Sequence, residues 1–125
     1  NISLGYSDSD AKVDAGNDYE TYDVGFGVNF AFPWAYIAVS NSYSFNDYKK
    51  PDTTVNSNRI RSDVTNTFDV MLTKAIGDIF PAIDPNRSLF INLSYEKVVS
   101  EANILNYDYI ADSFSLSFSR SFSLN

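Results

Sequence analysis

The stretch Ile110-Ala111-Asp112-Ser113-Phe114-Ser115-Leu116-Ser117-Phe118-Ser119-Arg120-Ser121-Phe122-Ser123-Leu124 decides the fold class. Its even positions are mainly large and apolar, and every odd position from Ser113 to Ser123 is serine. A period of two is the geometry of a β-strand, whose successive side chains leave opposite faces. A helix would scatter the same rings around its axis. Phe114, Leu116 and Phe118 therefore share one face, and Ser115 and Ser117 the other.

The same alternation recurs on the N-terminal side of this strand. From Tyr22 to Phe32, Tyr22, Val24, Phe26, Val28, Phe30 and Phe32 oppose Asp23, Gly25, Gly27, Asn29 and Ala31. From Ala35 to Asp47, Ile37, Val39, Tyr43 and Phe45 oppose Ala38, Ser40, Ser42 and Ser44. From Arg61 to Ile76, Val64, Phe68, Val70 and Leu72 oppose Asp63, Thr65, Thr67, Asp69 and Thr73. From Ser88 to Val99, Leu89, Ile91, Leu93, Tyr95 and Val99 oppose Phe90, Asn92, Ser94 and Glu96, and Ile2, Leu4 and Tyr6 open a further strand. The pattern predicts an all-β fold, an antiparallel up-and-down meander of about six strands forming one domain over residues 1-125.

The connections alternate in kind. Polar stretches at 7–18, 46–59 and 100–108 follow the first, third and fifth strands. Pro33-Trp34 links the second strand to the third, and a less polar, longer link from Gly77 to Asn86 follows the fourth. In a meander these two kinds of link fall on opposite edges. The chain starts at Asn1 without a leader, as expected of a mature product or a piece of a longer protein.

Composition removes whole classes of chemistry. With 0 His and 0 Cys, zinc sites, disulfides, thiol nucleophiles and imidazole-based triads are excluded within the chain. A net charge of -7 without a Lys/Arg stripe argues against nucleic acid as a partner. No run is long and apolar enough for a spanning helix, and mean hydropathy is -0.21. A transmembrane β-strand needs only about ten tilted residues, which these stretches supply.

The candidate chemical sites are weak. Asp8, Asp10, Asp14, Asp18, Glu20 and Asp23 offer carboxylates to a hard cation, but their spacing does not match an EF-hand, and a solvated loop is expected. Asp63 and Asp69 share a strand face at about 20 Å, too far apart for a glycosidase pair. No catalysis, cofactor or metal is expected.

The character of the non-aromatic face suggests an environment. It is built from Ser, Gly, Asn, Thr and Asp, small residues suited to a crowded or water-filled lumen. On this reading Asp23, Asn29, Ser40, Ser42, Ser44, Arg61, Asp63, Asp69, Asn92, Glu96, Ser115 and Ser117 line a lumen. Val24, Phe26, Val28, Phe30, Ile37, Val39, Phe68, Val70 and Leu72 then face lipid, with Leu89, Ile91, Leu93, Phe114, Leu116 and Phe118. Aromatics near strand ends (Tyr19, Tyr22, Trp34, Tyr36, Tyr48, Tyr95, Tyr107, Tyr109) are candidates for the girdles where a barrel meets headgroups. Four charges fall on the apolar parity: Lys74 and Arg120 toward the Pro-containing edge, Lys97 and Asp112 toward the long-loop edge. A long basic side chain there can snorkel to the headgroups.

Arg87-Ser88-Leu89-Phe90-Ile91-Asn92-Leu93-Ser94-Tyr95, Asn106-Tyr107-Asp108-Tyr109 and Phe114-Ser115-Leu116-Ser117-Phe118 resemble the closing hairpin of Gram-negative outer-membrane β-barrel proteins. These include the porin-like barrels that follow tetratricopeptide domains in surface-export and polysaccharide-export systems. The resemblance implies part of a transmembrane β-barrel in the bacterial outer membrane, serving as a pore or export conduit with acidic extracellular loops. In such barrels the final strand usually ends on an aromatic; Phe122 would fill that role here, although Ser123-Leu124-Asn125 follows it. Single-chain barrels start at eight strands, so the implied partners are outer-membrane lipid and the remaining strands of a larger barrel, or other protomers. Two other expectations stand beside it. One is a soluble, secreted or surface β-sandwich that binds carbohydrate or protein, its Phe-rich faces packed between two sheets. The other is a structural subunit that adds strands to a partner's open edge.

Overall fold

The computed structural model describes residues 1–9, 18–51 and 58–122. Six strands form one sheet in the order of the sequence: β1 (Ile2–Ser9), β2 (Tyr19–Phe32), β3 (Ala35–Tyr48), β4 (Ser62–Ala75), β5 (Leu89–Ala102) and β6 (Tyr109–Arg120). Every neighbouring pair is antiparallel, so the expected up-and-down meander is present. Two short 3-10 turns, Ile76–Asp78 and Leu105–Tyr107, are the only helical elements among the described residues. There is no second sheet among the described residues.

The strands run longer than the alternation alone suggests at the long-loop edge. β2 begins at Tyr19, β3 continues to Tyr48 and β5 to Ala102, because cross-strand pairing carries polar residues such as Glu20 opposite Asp47 into the ladder. At the other end β6 stops at Arg120, opposite Leu89, the first residue of β5. Ser121 makes one more backbone bond, to the Ser88 carbonyl, and Ser123 to Asn125 lie outside the described residues.

The register is sheared. The row Phe26, Asn41, Phe68, Lys97, Asp112 crosses the middle of β2 but meets β6 close to its start. Strands tilted relative to a common axis give this stagger. β1 and β6 are not paired with each other, so the sheet has two free edges among the described residues.

The link between β4 and β5 is a folded unit. The buried Asp84 carboxylate accepts from Ser88 N at 2.9 Å, Ser88 Oγ at 3.0 Å and Leu89 N at 2.8 Å, tying the link to the first residue of β5. Arg87 adopts φ 51°, and its guanidinium pairs with Asp78 at 2.7 Å. Gly77 is buried beneath Asp84, where a Cβ would meet the Asp84 carbonyl oxygen at 2.2 Å. No larger residue fits without moving backbone.

Burial opposes ionisation of Asp84, and the hydrogen bonds from Leu89, Ser88 and Gly77 outweigh it, so the carboxyl titrates below its ordinary value. A depressed carboxyl stabilises the fold above its unfolded-state value and loses that contribution as pH falls through the folded one. Gly77→Ala and Asp84→Ala are each expected to open the 76–88 link to limited proteolysis at neutral pH. Acidification below the ordinary carboxylate range should open the same link in the unaltered chain, with hydrogen exchange at Ser88 and Leu89 as the readout.

Candidate functional site

The register assigns every strand side chain to one of two faces. On the first lie Ile2, Leu4 and Tyr6 of β1, Tyr22 to Phe32 (even positions) of β2, and Ile37, Val39, Tyr43 and Phe45 of β3. They are joined by Val64, Phe68, Val70 and Leu72 of β4, Leu89, Ile91, Leu93 and Tyr95 of β5, and Phe114, Leu116 and Phe118 of β6. All the residues expected to face lipid are therefore neighbours on one surface. The opposite face collects Asp23, Asn29, Ser40, Ser42, Ser44, Asp63, Asp69, Asn92, Glu96, Ser115 and Ser117, the expected lumen set apart from Arg61.

Exposure is inverted relative to a water-soluble domain. Ala35 and Ile104 are the buried hydrophobic residues among those described, whereas Phe26 is 58% exposed and Phe114 81%. Along β2, every residue from Tyr22 to Phe32 on the apolar face is exposed, while Thr21 and Gly25 on the polar face are buried and Asp23 and Gly27 partly so. A Cβ at Gly25 would come within 2.7 Å of Ser3 Oγ. Crowding on the polar side and splaying on the apolar side is what a sheet curled toward its polar face produces.

Polar groups on the apolar face are partnered. Asn66 Nδ2 donates to Asn41 Oδ1 and to the Ser42 carbonyl, both at 3.1 Å, and Asn41 Nδ2 donates to the Thr67 carbonyl at 3.3 Å. The amide of Asn66 is thus satisfied by Asn41 and the β3 backbone, and that of Asn41 by the β4 backbone. Lys97 and Asp112 are direct cross-strand partners, and Tyr95 OH donates to Asp112 at 2.6 Å. Lys97 lies further inside its strand than its expected place at the long-loop edge. Lys74 Nζ donates to the Trp34 carbonyl at 2.5 Å, in the turn between β2 and β3.

Aromatic side chains mark both margins of the apolar face, although the set differs from the expected one. Phe30, Phe32 and Trp34 form a stacked series at the short-turn edge, with centroids 6.1 and 5.4 Å apart. At the long-loop edge Tyr6 packs on Tyr22 at 5.3 Å beside Phe45. Tyr19, Tyr36, Tyr48 and Tyr109 instead fall on the polar face, which removes them from an outer girdle. Parity alone held this signal: all four occupy the serine and asparagine side of their strands.

Arg61 immediately precedes β4, and its carbonyl accepts from Tyr48 N at 3.1 Å, which keeps its side chain beside Asp63 on the polar side. Its guanidinium lies 4.5 Å from the Tyr48 ring centroid and 3.6 Å from that of Tyr107, while Nε donates to Asp63 Oδ1 at 2.8 Å and a second nitrogen pairs with Asp63 Oδ2. Tyr48 in turn packs on Tyr19 at 5.2 Å. The cluster ties the ends of β2, β3 and β4 to the turn before β6. Burial works against the Arg61 charge, but the hydrogen bond and charge of Asp63 prevail and raise its affinity for the proton. Arg59 is drawn to the Asn103 carbonyl at 3.4 Å, on the same edge.

Asp10 and Asp14 of the acidic stretch lie outside the described residues. Of the others, Asp8 is paired with Lys49 at 2.7 Å, and no group of three potential metal ligands occurs among the described residues. Phe122 is exposed, 5.0 Å from the Arg120 guanidinium. Comparison with protein-family models, with curated protein sequences and with solved structures returns no match to this chain.

Removing Arg61 leaves the Asp63 carboxylate, only 4% exposed, without its counter-charge. Arg61→Ala is expected to destabilise the long-loop edge by about 3–5 kcal/mol, detected as faster hydrogen exchange at Tyr48, Ser62 and Asp63. Arg61→Lys should restore only part of the loss, because an ammonium cannot fork onto Asp63 while lying flat between two rings.

Proposed function

We propose that the chain forms part of the wall of an integral β-barrel of the bacterial outer membrane, with its apolar face toward lipid, its polar face toward an aqueous lumen, and a pore or export conduit as its role. The observation that carries this reading is the inverted exposure: the large apolar side chains lie on the open face of a single sheet that has almost no core. In water, each Phe or Leu left on that face forgoes about 1.5–3 kcal/mol of burial. A bilayer supplies the missing apolar contact to the whole face at once, and exposed apolar areas of this extent in soluble proteins mark a surface that something covers.

Three further features support it. The strands are long enough to cross the hydrocarbon layer when tilted, as the stagger of the register implies. The aromatic series at the two margins of the apolar face stand where headgroups would meet a barrel. Asn66 donates to Asn41, and both amides donate to strand carbonyls on that face, as polar groups must where water is absent. The free edges of β1 and β6 require further strands, supplied by the rest of a larger barrel or by other protomers.

Two experiments follow. The chain is expected to acquire β-structure by far-UV circular dichroism in detergent micelles or lipid vesicles and to aggregate in plain buffer; a monodisperse β monomer without detergent would overturn the membrane reading. Placing a charge on each face separates the two environments. Val28→Arg should reduce insertion into vesicles by about 2–4 kcal/mol, whereas Ser42→Arg on the polar face should leave it almost unchanged.

A further inference from the structure

We infer that the conduit prefers cations to anions, and that Asp69 and Glu96 are the residues of this sheet that set the preference. The inference rests on the barrel reading above and assigns the class of solute that passes.

Basic side chains of the described strands are confined to one face, whereas carboxylates lie on both. Lys74, Lys97 and Arg120 are the basic residues of the described strands, and all three lie on the apolar face. The polar face carries Asp23, Asp63, Asp69 and Glu96 and no Lys or Arg from any described strand. Solvation alone favours the opposite arrangement, because a basic side chain on the polar face would sit in water, whereas on a lipid face it must snorkel.

The four carboxylates are not equivalent. Asp63 is neutralised by Arg61 at the long-loop edge. Asp23 accepts the Ser44 hydroxyl near the same edge. Asp69 and Glu96 lie deeper, as direct cross-strand partners in the central rows of β4 and β5. Like charges placed directly opposite repel, and the polar face places no strand-borne cation beside them. Ser40 Oγ donates to Asp69 Oδ2 at 3.3 Å and Ser113 Oγ to Glu96 Oε1 at 3.5 Å, which orients both carboxylates without cancelling their charge. Ser94 and Ser115, bonded to each other at 2.7 Å, keep the neighbouring surface low.

The pair acts through its field and not as a coordination site. Fixed negative charge along a passage with low-dielectric walls concentrates mobile cations and excludes anions. Small hydrated cations and cationic solutes are the class this wall admits. Polyanions would meet repulsion at its centre.

The test is the reversal potential of the complete barrel containing residues 1–125, reconstituted in a planar bilayer under a potassium chloride gradient. The expected cation-to-anion permeability ratio is about 3 or more. The double variant Asp69→Asn/Glu96→Gln should lower the ratio at least about twofold, with heat-modifiable electrophoretic mobility confirming that the barrel still forms. Glu101→Gln removes the same charge from the apolar face, and its ratio should match that of the unaltered barrel. Conductance with no cation preference, or with a preference untouched by the double variant, overturns this inference and leaves the barrel reading standing. Absence of conductance in the folded barrel overturns the conduit reading and the inference with it.

Discussion

The rest of the structure depends on one backbone constraint, the hydrogen-bonded register of six antiparallel strands. Side chains alternate with a period of two, so a slip of a single residue in any pair would carry that strand's rings to the serine face and its serines to the ring face. All five pairings keep parity. One continuous apolar surface and one continuous polar surface result, although no second sheet and no helix longer than a single turn among the described residues holds them apart. The tight Pro33-Trp34 turn and the Asp84-centred link fix register at one edge, and the Arg61 cluster does so at the other.

A sheet ordered in this way still lacks what normally stabilises a domain. The hydrophobic contribution of a folded chain comes from apolar area withdrawn from water, and here that area remains on the open face. The hydrogen-bond ladder and cross-strand pairs such as Tyr95 with Phe114, whose centroids lie 4.7 Å apart, give local order without a core. The missing free energy has to come from outside the sheet. On the proposed reading, a bilayer against one face and strands at the two free edges would supply it. The fold and the proposed location are therefore linked by energetics and not by likeness of pattern alone.

Much of this was legible in the sequence, and the rest was hidden for identifiable reasons. Period-two alternation places Phe114, Leu116 and Phe118 opposite Ser115 and Ser117 without any structural information, and the same rule orders the other strands. Strand ends were less legible, since Glu20 looks like a loop residue until it is seen to pair with Asp47. Arg61 has the parity of a lumen residue but lies before its strand, and its contacts with Tyr48 and Tyr107 join segments far apart in the chain. Asp84 looked like an ordinary loop carboxylate, because the amides it caps become visible only once the link is folded. Tyr19, Tyr36, Tyr48 and Tyr109 show how a residue type can mislead when its parity is ignored: a tyrosine near a strand end belongs to an outer girdle only if it shares the apolar face.

The central claim is that the two faces of β2 meet two different solvents. Nitroxide labels placed one at a time from Asp23 to Ala31, in the complete barrel reconstituted in lipid, test this through collision with oxygen, which concentrates in hydrocarbon, and with a water-soluble nickel chelate. The account predicts strict alternation, with oxygen dominating at positions 24, 26, 28 and 30 and the nickel chelate at 23, 25, 27, 29 and 31. Labels at 24, 26, 28 and 30 shielded from both reagents would mean that the rings pack against protein, and would contradict it.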